Sequence, residues 1–477
     1  MSKLSENVLN DVISNTRDII KMFIKDNPLL YAEPTFNKRV VEHTVGILSI
    51  QFAPILSDIF TDRLITLKDI EQIARDTLAN HTKSIILPRS INPTTLDTDY
   101  IRSNKNNSNA MKKHLEMLKA TPQPEQRTTE WYEFRQRYLT ASNAWKTFST
   151  EASRNQLIYD KCKPLNTDKY TKSVSTETPM HWGQKYEDVS ILWYENTYNT
   201  SIAEYGCIPH PSLKCLAASP DGINDKPGLL YGRMVEVKNI VNRDITGIPK
   251  FEYWIQMQLQ MEVCDLEECD FLETRFLEYE SEEDFNADGC FQQTASGKFK
   301  GIIMYFMEDG RPLYKYCPWN CNEKEFKVWE ESQMEKYSHL TWVKNLYWKL
   351  EEISCVLVLR NKQWFAAARP MLENIWDTIL KERDSGYEHR APRKRTKVNA
   401  SQSVLNSATH ANSTTHANSA THTSESSRAS ATKGNKRVCV IDTTTLCSAS
   451  KMNTHNNIAK ESPSPVVSKV IQVDTKI

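Results

Sequence analysis

The 477-residue chain has no run of about 18 consecutive apolar residues, which excludes a helix crossing a bilayer. Its opening Met-Ser-Lys-Leu-Ser-Glu-Asn lacks the apolar stretch of a signal peptide. The 11 cysteines are odd in number and scattered, so no disulfide framework is expected and the thiols should be reduced. These absences together predict an intracellular protein. Cys317-Pro-Trp-Asn-Cys321 invites a zinc reading, but no second pair stands nearby at ligand spacing, and free thiols are the expectation. Net charge is also lacking: 60 Lys and Arg balance 60 Asp and Glu. The balance is global only. Residues 102–185 hold 15 basic against 8 acidic residues, whereas residues 262–284 hold 11 acidic residues against Arg275 alone. Phosphate contacts are local, so a chain of zero net charge can still grip a polyanion with its basic part. Phe271, Arg275 and Phe276 within the acidic run fit a strand with one wet face.

Hydrophobic residues make up 39% of the chain, with 11 Trp and 19 Tyr, enough for a substantial core. Three regions are expected. Residues 1–115 form a helical accessory region: Val8, Leu9, Val12 and Ile13 begin a helical stripe, Val41, Val45, Leu48 and Phe52 form a second, and Ile65, Leu67, Ile70 and Ile73 a third. Thr66 and Asp69 suggest a capped start for the third helix. Asn104 to Lys113 reads as a hinge. Residues 116–392 alternate helix and strand patterns in the α/β manner, giving a mixed sheet with helices on both faces. The spacing of Trp342, Leu346 and Leu350 is read as helical. Residues 393–477 form a basic Ser/Thr/Asn-rich tail containing a six-residue repeat (Asn406 to Thr423), too polar to fold and expected to be disordered. Pro392-Arg-Lys-Arg-Thr-Lys-Val398 resembles a basic nuclear import signal.

One constellation carries chemistry. Ser219-Pro-Asp-Gly222 reads as a tight turn presenting Asp221. Tyr231 to Lys238 reads as a strand, whose alternation puts Glu236 and Lys238 on one face and Val237 on the other. Two carboxylates and an amine converging on one point suit a Mg²⁺ site with a lysine beside an attacking water. The competing reading is a surface turn followed by a strand with a solvated Glu/Lys pair. Three neighbouring blocks weigh against it. Trp182, Tyr186, Val189 and Trp193 mark a helix that can turn Glu187 to the site. Tyr253 to Met261 reads as a helix whose Gln256 and Gln260 share a face. Trp131 to Ser142 places an arginine and a serine seven residues apart.

In this order the blocks resemble the PD-(D/E)xK nuclease superfamily, and within it the λ-exonuclease and YqaJ-type viral recombinase branch, over roughly residues 125–310. Trp131-x3-Arg135, Thr140-Ala-Ser142, Gly183-x3-Glu187, Ser219-Pro-Asp-Gly222, Glu236-x-Lys238 and Gln256-x-Gln258 all stand in place. The acidic stretch after Gln256 has the tone of versions carried by large DNA viruses.

The resemblance implies a restriction-endonuclease-like fold and a Mg²⁺-dependent deoxyribonuclease, with Mn²⁺ as an alternative ion. The metal ligands would be Asp221, Glu236, the backbone carbonyl of Val237, and Glu187 at a second ion or a bound water. Lys238 would orient and help deprotonate the water or offset charge in the transition state. Gln256 or Gln258 would position the water or the lysine. Arg135 and Ser142 would grip the 5′ phosphate of the digested strand, although Arg135 pairing with a carboxylate and Ser142 capping a helix is the bland alternative. The implied activity is a 5′→3′ exonuclease on double-stranded DNA ends, serving viral recombination, repair or genome processing. A single-strand annealing protein is its implied partner, a homo-oligomer its implied assembly, and the host nucleus or a cytoplasmic viral factory its implied site of action. A structure-specific or restriction-like endonuclease and a non-catalytic DNA-binding scaffold are the rivals.

Overall fold

A computed structural model of the chain describes residues 6–52, 66–84, 89–91, 108–124, 126, 128–165 and 176–392. The basic tail beyond residue 392 lies outside the described residues. Helices α1 (Glu6–Asp26), α2 (Phe36–Gln51) and α3 (Leu67–Ser84) come first. The expected stripes bring Val12, Leu48, Ile70 and Ile73 together in a small core. Thr66 and Asp69 cap α3 reciprocally: the Asp69 carboxylate accepts from the Thr66 backbone N–H at 2.9 Å, and the Thr66 hydroxyl accepts from that of Asp69 at 3.3 Å. The other faces of these helices carry Ile20, Ile24, Val40, Val41, Ala74 and Leu78 into the main apolar core. The Asn104–Lys113 segment, read as a hinge, is helical from Ser108, where α4 (Ser108–Ala120) begins. Leu115 and Leu118 on that helix are buried in the same main core.

The α/β part continues with α5 (Thr129–Gln136), strand β1 (Leu139–Thr140), the short α6 (Ala141–Ala144), α7 (Glu151–Cys162) and the long α8 (Pro179–Tyr198). Strands β2 (Ile202–Ala203), β3 (Ile208–Pro209), β4 (Leu216–Ala218), β5 (Gly222–Asn224) and β6 (Met234–Asn239) lead into α9 (Phe251–Cys264) and β7 (Glu268–Glu278). Then follow α10 (Glu282–Ala287), β8 (Lys300–Glu308), β9 (Arg311–Tyr316), α11 (Glu323–Lys336), β10 (Thr341–Leu359) and α12 (Lys362–Ser385). Seven strands form one mixed sheet in the order β2-β5-β6-β7-β10-β8-β9, and β1, β4 and β3 form a small one. Within the large sheet only β6 and β7 run parallel. A parallel pair needs a crossover, and α9 provides it.

Strand alternation sends the sheet's side chains to two cores. Val235 and Val237 of β6, with Leu272 and Phe276 of β7, meet Tyr186, Val189 and Trp193 of α8. Met234, Cys269 and Phe271 meet Trp254, Ile255 and Leu259 of α9 on the opposite face. The expected mixed sheet with helices on both faces is therefore present.

Two local expectations are corrected. Trp342, Leu346 and Leu350 belong to the 19-residue strand β10, not to a helix. Leu346, Trp348 and Leu350 alternate along one buried face of the strand, and an irregularity between Trp342 and Lys344 turns the exposed Trp342 off it. Strand β7 has no wet face over most of its length, because it lies between β6 and β10 and is covered on both sides. Its carboxylates Asp270 and Glu273 are buried. The fully buried Arg233 compensates the first, donating to Asp270 at 3.2 Å and to Glu268 at 2.8 Å, while Tyr194 donates to Asp270 at 2.7 Å. Arg243 pairs with Glu273.

A buried ion pair stripped of one partner leaves an uncompensated charge, costing about 3–5 kcal/mol. Arg233→Met should lower the unfolding free energy by that order in urea titration. Arg233→Met combined with Asp270→Leu should recover part of the loss. Equal stability of wild type and the single variant would overturn this account of β6–β7.

Candidate active site

Asp221 occupies the turn between β4 and β5. Gly222 opens β5 where a Cβ would stand 2.1 Å from the Ile202 side chain, so the close approach of β2 requires glycine directly after the aspartate. The Asp221 carboxylate accepts a hydrogen bond from the Val237 backbone N–H at 2.8 Å, which ties the turn to the middle of β6. Glu236 points away from Val237 and is fully buried. Lys238, two residues on and so on the same face, pairs with one of its oxygens. Gln260 of α9 donates to the other at 2.7 Å and also to the Ser219 carbonyl at 3.1 Å. Lys238 also lies over the Tyr253 ring, 5.3 Å from its centre.

Burial draws the Lys238 ammonium toward deprotonation, but Glu236 and Asp221 outweigh it and hold its pKa above the ordinary lysine value. Asp221 is shifted the other way for a carboxyl: burial pushes its pKa well up, and the charges of Glu236 and Glu187 add to this, against opposing contributions from Lys238 and the Val237 N–H. Glu187, from α8, lines the same opening as Asp221. The site is thus a cluster of mutually repelling carboxylates with one ammonium among them.

Gln256 and Gln258 part company. Gln256 lines the cavity beside Asp221 and Lys238. Gln258 turns into the core, where it donates to the Leu359 carbonyl at 2.9 Å and accepts from the Asn361 N–H at 2.6 Å, joining β10 to the start of α12. Residues two apart on a helix face opposite sides, so the pair cannot both reach the site. Gln260, four residues from Gln256, is the glutamine that contacts Glu236. The shared face of Gln256 and Gln260 was the legible signal for it.

Arg135 ends α5 and donates to the Ser142 hydroxyl at 3.0 Å while lying over the Trp131 ring at 4.1 Å. Ser142 does not cap α6; Thr140 does, its backbone N–H donating to Asn143 at 3.1 Å. A cavity of about 500 Å³ joins the two constellations, with Trp131, Arg135 and Ser142 at one side and Glu187, Asp221 and Lys238 at the other. Buried Lys161 of α7, which the sequence reading passed over, also lines it.

Among the described residues, no three His, Cys, Asp or Glu side chains gather as a ready metal cage. Mg²⁺ commonly needs only one or two carboxylates beside water and phosphate oxygens, and it prefers hard oxygen donors. Asp221, Glu236 and the Val237 carbonyl offer that chemistry, so the residues present fit such an ion.

A family model described as the YqaJ-like viral recombinase domain matches residues 130–267. An uncharacterized protein, R354, of Acanthamoeba polyphaga mimivirus is 29% identical over 325 residues, covering 60% of this chain and 56% of that protein. The chain thus spans just over half the length of this curated relative. A crystal structure of an alkaline exonuclease (LHK-Exo) from Laribacter hongkongensis shares 17% identity, over 54% of this chain and 95% of that one, with a TM-score of 0.32. The same enzyme in complex with dAMP matches equally. The stretch matched by the YqaJ-like viral recombinase model, residues 130–267, holds every site residue named above.

Proposed function

We propose that the chain is a metal-dependent nuclease that hydrolyses phosphodiester bonds of DNA, working from double-stranded ends. The observation that carries the reading is the fully buried Glu236 beside Lys238 and Asp221 within a domain of the viral recombinase type. A carboxylate without exposed surface is costly unless something compensates it. Here the compensation comes from groups that also suit phosphodiester hydrolysis.

Asp221, Glu236 and the Val237 carbonyl would hold a Mg²⁺ or Mn²⁺ ion, with Glu187 placed for a second ion or a bound water. When bound, the ion would acidify the attacking water and draw charge from the phosphoryl oxygens. Lys238 is held in its charged form by its two carboxylate neighbours, so it suits a proton donor and a partner for developing negative charge better than a base. Gln260 holds the Glu236 carboxylate in orientation and fixes α9 against the Asp221 turn. Gln256 faces the space where the water would stand. Arg135, over the Trp131 ring and bonded to Ser142, would take the 5′ phosphate of the strand end, which makes the polarity 5′→3′.

Linear duplex DNA with 5′-phosphorylated ends should be digested in Mg²⁺ and spared in EDTA. Lys238→Ala should lower kcat by roughly 10²- to 10³-fold, as for loss of a group aimed at transition-state charge. Cutting of closed circular duplex at a comparable rate would replace the exonuclease by an endonuclease. Metal-independent DNA binding without any product would leave only a scaffold.

Arg135→Ala should raise KM for phosphorylated ends by roughly 10- to 150-fold, the worth of one or two charge-assisted hydrogen bonds, and leave digestion of 5′-hydroxyl ends nearly unchanged. Equal losses on both substrates would remove the phosphate role.

Asp221→Asn keeps an acceptor for the Val237 N–H but deletes one of the repelling charges. It should raise the melting temperature of the metal-free protein while abolishing digestion, the trade expected where a site is built against stability. A lowered melting temperature would show that the Asp221 charge is not the strained element.

A further inference from the structure

Lys161 stands near the C-terminal end of α7 and is 5% exposed. Its ammonium donates to the backbone carbonyl of Arg135 at 2.7 Å. That bond takes one of three N–H donors, and no described carboxylate lies within ion-pair distance of the nitrogen. The charged groups facing it come from three helices: Arg135 on α5, Arg383 on α12 and Asp160 on α7 itself, with the Cys207 thiol beside them. Arg383 donates to the Gln136 and Lys161 carbonyls, both at 2.9 Å, which keeps a second guanidinium close by. A buried lysine between two arginines without a carboxylate partner is an uncompensated charge. Lys161 nevertheless lines the cavity that holds Arg135 and Ser142. A dianion bound there would supply the missing counter-charge.

We propose that Lys161 completes, with Arg135 and Ser142, a pocket for a terminal phosphate dianion, and that it is the residue through which the pocket reads the charge of a DNA end. The inference rests on the phosphate role of Arg135 and Ser142 proposed above, and adds a specificity-determining residue to it. The electrostatics agree. Burial and the Arg135 charge bring the Lys161 pKa down to about 7 in the empty pocket. A phosphate dianion beside it would raise that value again, so binding of a phosphorylated end above pH 7 is accompanied by uptake of one proton. The sign follows directly. Below pH 7 Lys161 is already charged and binding needs no proton, whereas above pH 7 each bound end must recruit one and affinity falls. A terminal phosphate has its second pKa near 6 and stays dianionic over this range, so the change belongs to the protein.

The test measures kcat and KM for full-length protein on 5′-phosphorylated and 5′-hydroxyl linear duplexes at pH 7 and pH 9. The ratio of the two kcat/KM values cancels any pH dependence of the chemistry common to both ends. In wild type this preference should fall by up to about fifty-fold between pH 7 and 9, as one proton taken up per bound end requires, and the fall should lie in KM. Lys161→Met should show a weakened preference that no longer changes with pH. Lys161→Arg, which stays charged at both values, should keep a preference that is also level with pH. The thermal melt of each protein, which should stay cooperative in all three, serves as the folding control. A wild-type preference that is constant from pH 7 to 9, or a Lys161→Met enzyme with an undiminished preference, would overturn the role of Lys161. Absence of any preference for phosphorylated ends in wild type would instead overturn the Arg135/Ser142 reading beneath it.

Discussion

A carboxylate with no exposed surface governs this part of the molecule. Glu236 lies on β6, inside the large sheet, and burial of an ionised group is tolerated only where partners restore what water supplied. Lys238 and Gln260 take one oxygen each. Gln260 reaches it only because α9 is the crossover between β6 and β7 and must lie across that face of the sheet. The same side chain holds the Ser219 carbonyl, and the Val237 N–H holds Asp221, so turn, strand and crossover helix are locked by two hydrogen bonds to the Glu236 and Asp221 carboxylates and a third to the Ser219 carbonyl. Neither the position of Asp221 nor that of α9 is independent of the need to compensate Glu236.

The pairing is incomplete. Burial, with the charges of Glu236 and Glu187 adding to it, pushes the Asp221 carboxyl well above its usual range, against the opposing Lys238 ammonium and Val237 N–H. Such a cluster is destabilising without further positive charge. Across the cavity stand Arg135 and Lys161, with Arg383 behind Lys161. One opening therefore joins a wall of carboxylates and a wall of cations.

The acidic run that balances the chain's charge is structural for much of its length. Asp270 and Glu273 lie within the sheet and are matched by Arg233 and Arg243. Strand β7, which bears them, is the element against which β6 is registered residue by residue, Glu236 opposite Phe271 and Lys238 opposite Glu273. The electrostatics of the core and of the site are thus carried by adjacent strands, the one closed by arginines and the other left open toward the cavity.

What the sequence by itself determined is whatever depends on local chain geometry. A strand period of two puts Glu236 and Lys238 on one face, Pro and Gly around Asp221 make a turn, and Thr66 and Asp69 cap a helix; each follows from residues a few positions apart. The motif order from Trp131 to Gln256 sufficed to recognise the domain. The tertiary structure alone decided the rest, because those choices were degenerate or non-local. A spacing of four at Trp342, Leu346 and Leu350 suits helix and strand equally, and only pairing with β7 and β8 settles it. Gln258 and Gln260 are alike in sequence, and only the packing of α9 turns one toward β10 and the other toward Glu236. Lys161 carries no motif. Its significance comes from burial beside Arg135 and Arg383, residues 26 earlier and 222 later in the chain, and charge brought together by folding leaves no trace in local sequence.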